Sequence, residues 1–118
     1  MTLNKSPNRP SNSQILLGKR AIVFGAGGSI GAAVAKEFAA EGAEVFLAGR
    51  TKSNVEDVKK QITAEGGRAH AQVIDALDDV AVDKYIDDIV RKAGNIDIEF
   101  NAVGPLAKEY GNGKKPWT

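Results

Sequence analysis

The 118-residue sequence predicts an α/β fold: a doubly wound parallel sheet, in three layers with helices on both faces. Two observations carry that reading. Short apolar runs bounded by glycine alternate with longer segments of helical periodicity, in the order βαβαβαβ, and a glycine-rich turn separates the first run from the first helix. Strict alternation with short connections implies parallel strands joined by right-handed crossovers.

Residues 1–14 (MTLNKSPNRPSNSQ) are almost entirely polar and include two prolines, so they bury too little surface to offset ordering entropy. They predict a flexible tail, followed by one domain over 15–107 and an irregular end over 108–118. The domain opens with the strand Arg20-Ala21-Ile22-Val23-Phe24, an apolar run between glycines that suits burial on both faces. Ser29 to Glu41 reads as the first helix, with Ile30, Ala33, Val34 and Phe38 on one stripe and Gly42 as its stop. Val45 to Ala48 is a second buried strand. Ser53-Asn54-Val55-Glu56 has the spacing of a capping box, predicting a helix to about Glu65 that ends at Gly66-Gly67. Ala69 to Ile74 is the third strand, and Asp78-Asp79 caps a third helix carrying Val82, Ile86, Ile89 and Val90 up to Gly94. Ile96 to Asn101 is the fourth strand, leading into the loop Ala102-Val103-Gly104-Pro105. Glu99 within it predicts an exposed strand, because a buried carboxylate without a partner is costly.

Bulk properties narrow the function classes. Sixteen basic and fifteen acidic residues leave a net charge of +1, which supplies no attraction to nucleic acid or an anionic membrane. Any phosphate must then be held by local geometry. The sequence has no cysteine, which excludes disulfides, thiolate metal sites and a cysteine nucleophile and fits a cytoplasmic setting. No apolar run approaches the roughly 18 residues that span a bilayer.

The turn Gly25-Ala26-Gly27-Gly28-Ser29-Ile30-Gly31 lies where its glycines have physical work. Gly25 allows a tight turn, Gly27 and Gly28 let backbone N–H groups approach a pyrophosphate, and Gly31 lets the helix sit close to the strand. The helix N-terminus adds unpaired donors and partial positive charge. This predicts a Rossmann-like dinucleotide site; the alternative is a turn that only connects two elements. No Gly-Lys-Ser/Thr closes the turn, so it is not a P-loop. A methyltransferase is a further rival, but that reading expects an acid after the second strand, where this chain has Gly49-Arg50-Thr51-Lys52. Arg50 stands 19 positions past Gly31, where its guanidinium can pair bidentately with a 2′-phosphate, which favours NADP (NADPH) over NAD. The alternative for Arg50 is a solvated charge at a strand end.

From about Leu17 to Leu106 these pieces together resemble the short-chain dehydrogenase/reductase family. Gly25 and Gly31 keep the places of that family's first motif, whereas Phe24 replaces its Thr and Ser29 its middle Gly. Ser29 retains a hydroxyl suited to capping the helix or to donating to a phosphate. By the same resemblance Val73-Ile74-Asp75 ends the third strand, with Asp75 on the adenine amino group. Asp97-Ile98-Glu99-Phe100-Asn101-Ala102-Val103-Gly104 is similar to the family's Asp-Ile-Leu-Val-Asn-Asn-Ala-Gly and keeps Asn101 and Gly104 along the adenosine ribose. The resemblance thus implies cofactor contacts at Gly25, Gly27, Gly28, Ser29, Ile30, Gly31, Arg50, Asp75, Asn101 and Gly104.

The resemblance also implies hydride transfer between a nicotinamide and a small carbonyl or alcohol, through a Tyr, a Lys and a Ser that lie beyond the fourth strand. This chain ends shortly after Gly104, so no catalytic residue is assigned and a fragment of a longer reductase is expected. Tyr110 and Lys114 match Tyr-x-x-x-Lys by spacing, but Gly111 and Gly113 between them disfavour the helix that would align the pair. His70 and Tyr85 read as structural. Asp78, Asp79, Asp83, Asp87 and Asp88 are spread along a helix without a Ca²⁺-loop pattern, so no metal is implied, and Trp117 has no assigned role. In such relatives, pairing into homo-oligomers uses helices after the fourth strand. Three readings follow: an NADP-dependent oxidoreductase represented by its cofactor-binding part, a non-catalytic dinucleotide-binding module, and, third, a methyltransferase-like domain.

Overall fold

The computed structural model describes residues 14–103. Its order is β1 (Arg20–Phe24), α1 (Ser29–Ala40), β2 (Glu44–Gly49), α2 (Lys52–Ala64), β3 (Arg68–Val73), α3 (Asp79–Ala93) and β4 (Ile98–Asn101). All strand pairs are parallel, and the sheet runs β3-β2-β1-β4. The chain therefore steps outward from β1 to β3 and then crosses back to place β4 on the other side of β1.

Successive strand residues point to opposite faces, so each strand feeds two cores. Val23, Val45, Leu47 and Ala69 pack with Ala35 and Ala39 of α1 and Val55, Val58 and Ile62 of α2. Ile22, Phe24, Phe46, Ala48 and Ile74 face the other way and meet Ile89, with Val82, Tyr85 and Ile86 of α3 partly buried beside them. Helices on both faces make the three layers. α3 stands further from the sheet than α1 or α2 and leaves a groove of about 640 Å³ beside Phe46, Ile74 and Tyr85.

Two local expectations are corrected. The buried stripe of α1 is Gly31, Ala35 and Ala39, not the stripe through Ile30 and Ala33; Ile30 is 65% exposed. Small residues spaced by four let α1 approach the sheet closely, and a larger apolar side chain at the first turn is left on the outside. α2 begins at Lys52 with Thr51 as N-cap and no side-chain cap bond, so the Ser53–Glu56 box does not form. The cap on α3 does: Asp78 Oδ1 accepts from Ala81 N at 3.1 Å. Glu99 is exposed on β4, an edge of the sheet among the described residues.

At the amino ends of the strands a polar chain ties the sheet together. Arg20 NH1 donates to Asn95 Oδ1 at 2.8 Å and its backbone N donates to Asp97 Oδ2 at 2.9 Å. Arg20 Nε lies 3.3 Å from Glu44 Oε1 without the alignment of a hydrogen bond. His70 Nε2 donates to Glu44 Oε2 at 2.7 Å, and its ring stacks on Phe46 with centroids 4.7 Å apart. Burial alone would raise the Glu44 carboxyl, but the His70 hydrogen bond and the charges of His70, Arg68 and Arg20 outweigh it and hold the group below the usual carboxylate range. His70 is thus structural within this chain.

Candidate functional site

A groove of about 300 Å³ opens at the carboxyl ends of all four strands. Gly25, Gly27 and Gly28 line it after β1, Arg50, Thr51 and Asn54 after β2, Ile74 and Ala76 after β3, and Ala102 and Val103 after β4. This is the topological switch point, where the connection from β1 turns one way and β4 lies on the other side. Two further hollows lie elsewhere: the one under α3, and one of about 420 Å³ between the carboxyl ends of α1 and α2.

The glycine turn is built for close approach. Gly25 has φ +76°, and the N–H groups of Gly25 and Ala26 both donate to the Ala48 carbonyl, at 2.9 and 3.0 Å. Gly28 N then donates to Gly25 O at 3.1 Å, closing a tight turn. Gly28 is the N-cap of α1, and the helical ladder starts with Ala32 N donating to Gly28 O at 2.8 Å. The N–H groups of Ser29, Ile30 and Gly31 therefore have no acceptor in the ladder and lie at its positive end. Ser29 is an exposed first helical residue and does not cap the helix, which corrects one of its two expected roles.

Of the remaining predicted residues, Arg50 lines the groove, is exposed, and has no ion-pair partner among the described residues. Asp75 is exposed just past β3. Its Oδ1 accepts from Leu77 N at 2.9 Å, and its neighbours Ile74 and Ala76, rather than Asp75 itself, line the groove. Asn101 shapes the wall: its Oδ1 accepts from Val103 N at 2.9 Å, while Ala102 N donates to Phe24 O. The loop so held brings Val103 Cγ2 within 3.1 Å of where a Cβ on Gly25 would stand. Gly104, Tyr110, Lys114 and Trp117 lie outside the described residues, as does the tail over 1–13. Phe24, which replaces the family's Thr, is 2% exposed and belongs to the core under α3.

Sequence reasoning missed Thr51, Asn54 and Val103. Asn54 is brought to the site by packing, since its Cβ would be 2.8 Å from a Cβ on Gly27. No periodicity signals such a contact between two segments 27 positions apart. Tyr85 is far from this chemistry: its hydroxyl donates to Leu47 O at 3.4 Å, and burial pushes its pKa up. Among the described residues no group of three His, Asp or Glu side chains could hold a metal ion, and no helix is long and apolar enough to cross a membrane.

Comparison with known proteins agrees with this geometry. The chain is 37% identical over 107 residues to a fatty acyl-CoA reductase of Mycobacterium tuberculosis, covering 86% of this chain and 36% of that protein. It is 41% identical over 86 residues to the meso-2,3-butanediol dehydrogenase of Serratia marcescens, covering 73% of this chain and 34% of that one. The chain thus spans about a third of the length of these relatives. Among solved structures, a metagenomic short-chain oxidoreductase in complex with NADP superposes with TM-score 0.69 at 31% identity, over 71% of this chain and 38% of that one. A hydroxysteroid dehydrogenase from Escherichia coli superposes with TM-score 0.71 at 33% identity, over 77% and 39% of the two chains. Residues 19–114 match the family model described as short chain dehydrogenase, and on that match the chain belongs to the short-chain dehydrogenase family.

Proposed function

We propose that the groove holds the adenosine and pyrophosphate portion of a nicotinamide dinucleotide, with NADP preferred over NAD, and that residues 15–107 act as one cofactor-binding unit. The observation that carries this is the convergence, in one groove at the strand carboxyl ends, of glycines at 25, 27 and 28 and the Arg50 guanidinium, which has no ion-pair partner among the described residues. The glycines at 27 and 28 fit the role, because without side chains they leave the approach to the N–H groups of Ser29, Ile30 and Gly31, which no helix carbonyl takes, open to a bulky anion. Arg50 supplies a planar donor pair matched to a phosphate monoester. The solved relative that holds NADP supports the same reading.

For the protein as a whole, the reading is an oxidoreductase acting on a small carbonyl or alcohol, with the bound cofactor supplying or accepting hydride. This chain's own residues would bind and orient: the α1 N-terminus would meet the pyrophosphate, the loop held by Asn101 and the edge of the groove beside Asp75 would meet the adenosine, and Arg50 would select the phosphorylated ribose. The lack of cysteine supports a cytoplasmic setting. A second reading, binding without chemistry, is favoured by one observation. The tyrosine among the described residues, Tyr85, is half-buried under α3 with its hydroxyl on Leu47 O, and it does not line the groove.

Titration calorimetry of the full chain with NADPH and NADH tests the proposal. NADPH is expected to bind more tightly, and Arg50→Ala to remove that preference, since a hydrogen-bonded charge pair contributes about 1.5–3 kcal/mol. Folded protein that binds neither nucleotide would overturn the cofactor reading. Equal affinity for both would overturn the preference.

A further inference from the structure

We infer that Asn54 is a specificity-determining residue of this groove, its side-chain amide meeting the phosphate that distinguishes a phosphorylated from an unphosphorylated adenosine ribose. The inference rests on the dinucleotide reading above and adds a residue that neither motif nor spacing assigns. The glycine turn brings no side chain to the groove, because its lining residues are Gly25, Gly27 and Gly28. Among the described residues, polar side chains in the lining come from the opposite bank, at Arg50, Thr51 and Asn54. Arg50 is the cation among these described residues.

Asn54 occupies a defined place between the two banks. Its backbone N donates to Thr51 O at 3.1 Å, which fixes it on the first turn of α2, and its Cβ presses on Gly27, with only 2.8 Å to where a Cβ on Gly27 would stand. The side chain is therefore anchored beside the glycine turn and on the same bank as Arg50. Its amide has no hydrogen-bond partner among the described residues, so two donors are available to a ligand. An amide suits a phosphate beside a guanidinium, since it donates without adding charge. A carboxylate at this position would repel the phosphate and accept from ribose hydroxyls instead.

The test uses the full chain with adenosine 2′,5′-bisphosphate and 5′-AMP as probes, titrated against wild type, Asn54→Ala, Asn54→Asp and Arg50→Ala. Both Asn54 variants keep the Cβ that packs on Gly27, and circular dichroism confirms that they fold. The wild type is expected to prefer the bisphosphate. Asn54→Ala should lower that preference roughly tenfold, and Asn54→Asp should lower it further, the loss falling on the bisphosphate rather than on 5′-AMP. If Arg50→Ala erases the preference and both Asn54 variants retain it, the role of Asn54 is refuted and the dinucleotide reading stands. If the wild type binds neither probe, the dinucleotide reading falls and takes this inference with it.

Discussion

Gly31 sits so close to Gly25 that a Cβ on Gly31 would stand 2.1 Å from the Gly25 carbonyl oxygen and 2.7 Å from its carbon. The obstacle is backbone, which cannot rotate away as a side chain end can. Gly28, two positions before the second helical residue, is different: a Cβ there meets nothing nearer than Gly25 O at 3.6 Å, and φ is −84°. The glycines of one motif therefore have unequal duties, Gly31 permitting α1 to dock and Gly28 leaving the approach to the groove open.

Gly31→Ala should accordingly destabilise the fold by about 1–3 kcal/mol or more, as overpacking against rigid atoms does. Gly28→Ala should fold with a stability within about 1 kcal/mol of wild type, because an N-cap alanine in extended backbone costs little beyond the lost preference. Urea denaturation followed by circular dichroism separates the two. Equal destabilisation would show that the turn, rather than the Gly31–Gly25 approach, sets the constraint.

The chain of charges at the amino ends of the strands gives a pH prediction. The Glu44 carboxyl is held below its ordinary value of 4.5 in the folded protein, so its ionised form is favoured by folding. That contribution is complete above the unfolded value and is lost as pH falls through the lowered folded value. Glu44→Gln should therefore flatten the decline in stability between neutral pH and pH below 4.5. Parallel declines for wild type and variant would mean that other carboxylates carry the acid sensitivity.

Much of this architecture was legible in the sequence because the determinants are local. The β1 run, the helix stops at Gly42, Gly66 and Gly94, which all have positive φ, and the Asp78 cap each depend on a few adjacent residues. The misreadings arise where packing decides. Hydrophobicity predicts Ile30 on the inner stripe, yet the close approach of α1 selects Gly31, Ala35 and Ala39 for that face. Ser53 and Glu56 have the capping spacing, but α2 starts earlier, at the point where β2 ends and Arg50 turns the chain. At the site, the glycine turn and Arg50 were readable from motif and distance, whereas Asn54 and Val103 reach it only through the sheet order that sets α2 and the β4 loop beside the turn.

Tyr85 offers a spectroscopic check on the core under α3. Burial raises its pKa above the ordinary 10, so folding keeps the phenol neutral where the unfolded chain would ionise it. Stability from this group is complete below pH 10 and is lost as pH rises beyond it. In a Tyr110→Phe variant, which leaves Tyr85 as the one tyrosine, phenolate absorbance should appear only together with alkaline unfolding. A smooth titration near pH 10 in folded protein would mean that α3 does not shield the ring.

Ile89 is the most deeply buried anchor of α3, with Val82, Tyr85 and Ile86 partly buried beside it. Ile89 is 4% exposed and is the buried residue of that helix, packed with the core of Ile22, Phe24, Phe46, Ala48 and Ile74. Ile89→Ala should cost about 2–5 kcal/mol, a large share of the stability of an ordinary domain. Val80, 79% exposed at the other end of the helix, should tolerate alanine with a change within about 0.5 kcal/mol. Because α1 and α2 pack on the opposite face, the loss at Ile89 should open α3 first. Amide hydrogen exchange reads this directly: faster exchange confined to residues 79–93 supports a separately opening α3, whereas uniform acceleration across β1 and β2 as well would show that the two faces of the sheet unfold as one unit.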